Sequence, residues 1–260
     1  MLTVLVINSK GGSGKTTLST NLASYYASKK YKTALMDYDP QGSSLQWLKL
    51  RPIHVGKIHS ANGAPPKGGL IQRSGQSWIP SDTEVLIIDA PAGTKGLLLQ
   101  ELVRKSNFII IPVAPSPIDI HATADFIKDL FLTGGVRSSA AKIAVVANRV
   151  RSSSTAMYAS LENFLSALKL PILTSIGDSD HYLHAAAKGL GVFEMDEIVT
   201  AKERRDLLPI MKWLDGHLPN KHGVRAENKI INLEDSRKWQ AYRAGGSAPP
   251  SPTGKFNRYN

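Results

Sequence analysis

The sequence contains no cysteine, which excludes disulfides, thiolate metal sites and iron–sulfur clusters together. Nor does any apolar run approach the roughly 20 residues that a membrane-spanning helix requires. The opening apolar stretch, residues 2–7, is too short for the core of a secretion signal and follows no basic segment, so a cytoplasmic location is expected. His54 and His59 lack companions at metal-ligand spacing and are expected to be surface or edge residues. Acidic side chains are scarce beside basic ones, 21 Asp and Glu against 32 Lys and Arg, giving a formal net charge of +11. That surplus attracts phosphate backbones or anionic lipid without choosing between them. What is present, 260 residues of which 42% are apolar, suffices for one large α/β domain and an additional segment, not for two full domains.

The chain is organised around Asn8-Ser9-Lys10-Gly11-Gly12-Ser13-Gly14-Lys15-Thr16-Thr17. A short apolar, β-branched segment precedes it, and Leu18, Leu22, Tyr25 and Tyr26 follow at helical spacing. A strand, a glycine turn and a helix start leave unpaired N–H groups at the positive end of a helix dipole, where a phosphate chain fits. Gly11, Gly12 and Gly14 allow positive φ and close approach to the anion, with Ser13 between them. In such a phosphate loop Lys15 reaches the β- and γ-phosphates of ATP and the hydroxyl of Thr16 ligates Mg²⁺. Ser9 stands where the common loop pattern has its first glycine, and a second lysine, Lys10, follows it.

Three further sites lie at the ends of expected strands. Residues 33–37 lead into Asp37-Tyr38-Asp39-Pro40-Gln41-Gly42, two aspartates at the carboxyl edge of a parallel sheet or, alternatively, a turn capping a helix over 43–50. Residues 84–88 run straight into Asp89, a carboxylate placed to hold a water on Mg²⁺, with an N-cap aspartate as the alternative. Ala92-Gly93-Thr94 after it is expected to sense the γ-phosphate. Residues 108–113 and 142–147 form two more strands, the second ending at Asn148 and Arg149. Residues 51–82 are hard to read, with Ile53, Val55 and Ile58 suggesting a short strand.

A helix is expected over 154–169, a last strand over 171–176, and an amphipathic helix over 201–218 carrying Lys202, Arg204, Arg205 and Lys212. This alternation implies right-handed βαβ units in a doubly wound, mainly parallel sheet flanked by helices. Residues 1–218 are therefore expected to form one domain. Residues 219–260 are expected to be a flexible tail, basic with interleaved aromatics, that either binds nucleic acid or a partner or merely solvates.

The lysine-rich loop resembles the deviant Walker A box of the ParA/MinD ATPases. The resemblance covers residues 1–216, through Lys10 to Thr17, the aspartate loop at 37–42, residues 88–91 and 112–117, and a stretch at 185–194 similar to small orphan ParA-type, McdA-like proteins that space carboxysomes or other protein cargo. It implies a Mg²⁺-dependent ATPase that dimerises around ATP. Lys10 would reach the partner's nucleotide, Asp39 would position the attacking water, and Asn148 would read the adenine edge, a turn asparagine being the alternative. It also implies ATP-dependent binding to non-specific double-stranded DNA on the nucleoid and release by an adaptor protein that stimulates hydrolysis. The catalytic set is then Lys10, Lys15 and Asp39, and the nucleotide set adds residues 11–14, Thr16, Thr17 and Asn148. Thr16 and Asp89 would hold the metal, and the basic face of the last helix would hold DNA. No membrane partner is expected, and site-specific operator binding is not expected either. A MinD-like membrane switch and a small-molecule ligase on the same fold are the competing readings. Asp178, Asp180 and His181 stand where many relatives carry arginines, which departs from the family's DNA-contact pattern.

Overall fold

Buried β-branched segments separated by glycine and proline breaks generate seven strands, and the computed structural model shows how they assemble. It describes residues 1–64, 78–136, 139–151, 161, 163–164, 166–167 and 170–218. The strands are β1 (Leu2–Val6), β2 (Thr33–Asp37), β3 (Ile58–Asn62), β4 (Val85–Asp89), β5 (Phe108–Val113), β6 (Lys142–Val150) and β7 (Ile172–Gly177). They form one sheet in the order β3-β2-β4-β1-β5-β6-β7, and every pairing is parallel. The expected mainly parallel sheet is thus entirely parallel among the described residues. A parallel pair cannot be joined by a hairpin, so the intervening chain crosses the faces as helices.

Those helices are α1 (Lys15–Ser28), α2 (Ser43–Leu50), α3 (Gly96–Lys105), α4 (Pro117–Leu132), α5 (Asp180–Ala187) and α6 (Ala201–Asp215). The period-2 alternation of β1 divides the core: Val4 and Val6 join Leu22 and Tyr26 of α1 and Leu207, Ile210 and Leu214 of α6. Leu5 and Ile7 pack on the other face with Leu99 and Leu102 of α3 and Phe126 and Leu130 of α4. From β1 the chain moves outward to β2 on one side and later crosses to β5 on the other. The carboxyl end of β1 is therefore the switch point where such sheets open a crevice.

Several boundaries differ from expectation. The strand sought near Ile53 begins at Ile58; Ile53 itself is fully exposed, because it sits in a turn after Pro52. Helix α3, unforeseen, buries Leu99, Leu102 and Val103 on a narrow stripe. Strand β6 continues past Ala147 through a register shift to Val150, with Arg149 at φ 56°. The last helix ends at Asp215 rather than 218. Of the helix expected over 154–169, Leu161, Asn163, Phe164, Ser166 and Ala167 are described, are helical, and include a buried Leu161. Residues 1–218 form one unit, and the tail over 219–260 lies outside the described residues.

Candidate functional site

The loop between β1 and α1 is held from below by a side chain that sequence reasoning passed over. Asn8, buried immediately after the apolar strand, donates to the Pro112 carbonyl at 2.8 Å and the Thr123 hydroxyl at 3.0 Å. Its Oδ1 accepts from the Lys10 backbone N–H at 3.3 Å. The signal for it was a polar residue at the exit of a fully buried strand. Gly12 and Gly14 adopt φ 77° and 89°, left-handed values that a side chain would strain. Gly14 also caps α1, so the first turn of that helix aims its free N–H groups into the crevice.

Lys15 is 8% exposed and its ammonium donates to the Lys10 carbonyl at 3.0 Å, folding the loop over itself. Burial lowers its pKa, while the carboxylates of Asp89 and Asp39 pull it back upward. An anion in the crevice would compensate the same burial cost. Thr17 is exposed at the mouth of the loop, as are Gly11 and Gly12.

The two aspartates after β2 divide their roles. Asp37 is fully buried, and its carboxylate accepts from the N–H groups of Asp39 at 2.9 Å, Ser44 at 3.0 Å and Leu45 at 3.3 Å. It caps α2, as the bland alternative for this loop required. Asp39 stays partly exposed, accepts from the Gln41 N–H at 2.9 Å, and faces the crevice containing Lys15.

Asp89, 1% exposed, accepts from the Ser19 hydroxyl at 3.2 Å through Oδ1. Its Oδ2 is buried with no hydrogen-bond partner among the described residues. Burial, reinforced by the nearby charge of Asp37, pushes its pKa to about 7, against the opposing pull of the Thr16 and Ser19 hydroxyls and of Lys15. An orphaned carboxylate oxygen beside a threonine hydroxyl, both oxygen donors, fits a hard divalent cation such as Mg²⁺. Ser19 is a second residue missed from sequence, since a helical serine four residues beyond Lys15 carries no distinctive signal. The chain after β4 returns to the loop, where the Gly93 N–H donates to the Ser9 carbonyl at 2.9 Å.

These elements enclose a crevice of ≈ 420 Å³ that includes Gly12, Lys15, Thr16, Asp39, Asn148 and Asp178 on its walls. The phosphate loop and the β6–β7 edge are thereby brought together. Asn148 is 7% exposed and donates through Nδ2 to the Ser13 carbonyl at 2.8 Å. Asp178 at the end of β7 pairs with Arg151 at 2.9 Å and Arg149 at 3.5 Å; the hydrogen bond from Arg151, just past the end of β6, holds its carboxyl below the ordinary range. His181 stands 3.2 Å from buried Glu203.

The basic residues of α6 do not act as one group. Lys202, Arg205 and Lys212 are exposed. Arg204 instead turns inward, donating to the Thr200 hydroxyl at 3.1 Å and to the carbonyls of Phe193 at 3.3 Å and Met195 at 2.7 Å. Its guanidinium is consumed by the turn at Val192–Glu194, so it stands apart from the exposed basic face. Glu203 and Asp206 are buried, and so do not dilute the charge of that face.

A model of the CobQ/CobB/MinD/ParA nucleotide binding domain matches residues 4–192. The maintenance of carboxysome distribution protein A of Halothiobacillus neapolitanus is 28% identical over 198 residues, 74% of this chain and 87% of its own length. Its counterpart in Gloeobacter kilaueensis is 28% identical over 137 residues, 51% of this chain and 58% of its own. Among solved structures, apo McdA from Cyanothece has a TM-score of 0.61 at 18% identity, covering 81% of this chain and 99% of that one. A chain of the Aquifex aeolicus MinC:MinD cell division protein complex has a TM-score of 0.61 at 17% identity, covering 85% and 99%. At those identities the structural likeness establishes the fold, and the matched model, spanning most of the chain, establishes more: this chain belongs to the CobQ/CobB/MinD/ParA nucleotide-binding family.

Proposed function

We propose that the chain is a ParA-type ATPase that positions an intracellular cargo, with a carboxysome-like protein body favoured over a plasmid or chromosome. The observation that carries the ATPase reading is the convergence of Lys15, Thr16 and Asp39 on one crevice at the switch point of the sheet, with Asp89 buried behind it beside Lys15 and Thr16. The cargo reading is supported by the named function of the Halothiobacillus and Gloeobacter relatives.

In this reading the N–H groups of residues 11–17 and the Lys15 ammonium hold the triphosphate, neutralising charge that grows on the γ-phosphate oxygens. The Thr16 hydroxyl and Asp89, the latter directly or through water, would hold Mg²⁺, which supplies further neutralisation when bound. Asp39, left partly exposed while Asp37 caps α2, orients the water for in-line attack. Lys10 reaches across a two-fold axis to the partner's nucleotide, so the ATP state is a dimer. Two copies of the exposed Lys202, Arg205 and Lys212 face then present a bivalent basic surface to nucleoid DNA. An adaptor protein that stimulates hydrolysis dissolves that surface.

A membrane switch is the less favoured reading, because most of the large apolar residues of α6 are already spent, Leu208 being the exposed one. Leu207, Ile210, Met211 and Leu214 are at most 1% exposed in the core. No helix among the described residues is long and apolar enough to cross a membrane. The test is co-sedimentation with random-sequence duplex DNA and with anionic liposomes, each with ATP, ADP or no nucleotide. ATP-dependent pelleting with DNA alone supports the proposal; pelleting with liposomes alone overturns the DNA arm in favour of a membrane switch.

A further inference from the structure

We propose that Asn148 is a positioning residue of the phosphate loop: by holding the Ser13 carbonyl it sets the Gly14 N–H to face the triphosphate. The inference rests on the nucleotide-binding reading above and assigns the side chain a role beyond contact with a base.

A trans peptide points its C=O and N–H in opposite directions, and the chain has no cis peptide among its described residues. The Ser13–Gly14 peptide therefore has one rotational freedom that matters. If the Ser13 carbonyl turned into the crevice, a partial negative charge would face the phosphates and the Gly14 N–H would face away. Gly14, at φ 89° and without a side chain, does little by itself to resist such a flip. Asn148 supplies the resistance. Its Nδ2 donates to the Ser13 carbonyl at 2.8 Å in a buried setting, where breaking the bond strands a carbonyl away from water. The same amide occupies the place where a Cβ on Gly14 would lie, so glycine at 14 and asparagine at 148 fit one another.

The anchor itself is stiff. Asn148 lies in β6 just after Ala147, which pairs with both Val113 and Ser175. Arg149, next in sequence, takes φ 56° at the irregular end of β6, and its guanidinium stands 3.5 Å from Asp178. Asn148 thus ties the loop to a strand two places away in the sheet from β1.

The experiment compares wild type with Asn148→Ala and Asn148→Leu, the second keeping the branched outline of the side chain without a donor. Hydrogen exchange is measured on peptides covering residues 8–17 in nucleotide-free protein, and binding is measured for ATP and for inorganic tripolyphosphate, which has no base. Both variants should exchange at least about tenfold faster at residues 12–15 and bind both ligands at least about tenfold more weakly, the size of leaving one buried carbonyl unpaired. A larger loss for ATP than for tripolyphosphate would add base contact to positioning. Unchanged exchange in the loop, or a loss confined to ATP, overturns the proposal and leaves Asn148 as a base reader only. If wild type itself binds neither ligand, the nucleotide-binding reading fails instead, while the exchange data still decide whether Asn148 holds the loop.

Discussion

Removing the carboxylate of Glu194 should destabilise the domain more than removal of any single group at the nucleotide crevice. Arg51, at the end of α2, and Glu194, in the short turn before α6, are 6% and 4% exposed and form a two-pronged ion pair, at 2.5 Å and 2.9 Å. The guanidinium also donates to the Gly56 carbonyl at 2.7 and 2.9 Å and to Gly189 at 3.2 Å, and stacks on Trp47 with its centre 5.3 Å from the ring. Glu194 additionally accepts from the Gly191 N–H at 3.1 Å. In Glu194→Ala the buried cation keeps only neutral carbonyl partners among the described residues, and in Arg51→Ala the carboxylate keeps only one N–H. Breaking a buried pair from one side costs about 3–5 kcal/mol. For a domain of this size that lowers Tm by roughly 6–20 °C, at about 2–4 °C per kcal/mol. Replacing both, in Arg51→Ala with Glu194→Ala, strands neither charge and should cost clearly less than the sum of the single changes. Urea and thermal unfolding followed by circular dichroism give all four corners of the cycle. Single-variant losses under about 1 kcal/mol, or strict additivity, would refute the reasoning, since both outcomes describe a solvated surface pair.

Other expectations follow from the crevice and the basic face. Lys15→Ala should abolish ATP binding, measured by calorimetry, because no other lysine among the described residues is buried; affinity within a few-fold of wild type would contradict this. Lys10→Ala should bind ATP as a monomer but fail to dimerise or hydrolyse, and a normal ATP-bound dimer in sedimentation would remove its role across the interface. Arg205→Glu with Lys212→Glu should weaken binding to random DNA about uniformly over sequence and flatten its salt dependence, with unfolding temperature and basal ATPase activity unchanged. Arg204→Glu should instead lower thermal stability, because it removes three hydrogen bonds that hold the turn before α6; equal stability with lost DNA binding would place Arg204 back on the exposed face.

Much of the frame was legible in the sequence because the parallel strands are buried on both faces and read as unbroken apolar runs. Residues 85–89 and 108–113 are the clearest: the second strand has the expected bounds, and the first is displaced by one residue from the run expected over 84–88. The loop at 8–17 was legible for a different reason, since glycines at fixed spacing encode a backbone conformation that few other functions demand. What stayed hidden was the direction of individual side chains. Asp37 and Asp39 are two residues apart and chemically identical, yet one caps a helix and the other faces the crevice, a choice made by where α2 begins. Arg204 and Arg205 are adjacent, and helical geometry sends one into the turn at Val192–Glu194 and the other to solvent. Glu194 gave no sign of its partner, because Arg51 lies 143 residues away in sequence. Asn148 could be picked out as a polar residue ending a strand and, by the family resemblance, as a reader of the adenine edge; its bond to Ser13 depends on β6 lying beside β5, which no local pattern encodes.

The central claim, an ATP-gated switch in which Asp39 serves hydrolysis and not binding, is tested most directly with Asp39→Ala. Positioning of the attacking water contributes in the transition state and little in the ground state, so this variant should bind ATP normally and hydrolyse it slowly. Sedimentation velocity with Mg²⁺ and ATP, ADP or no nucleotide, each with and without random-sequence duplex, is the measurement. The account predicts a long-lived dimer that carries DNA in ATP, and free monomer in ADP or without nucleotide. The same sedimentation in all three nucleotide states, or wild-type turnover in the variant, would contradict it.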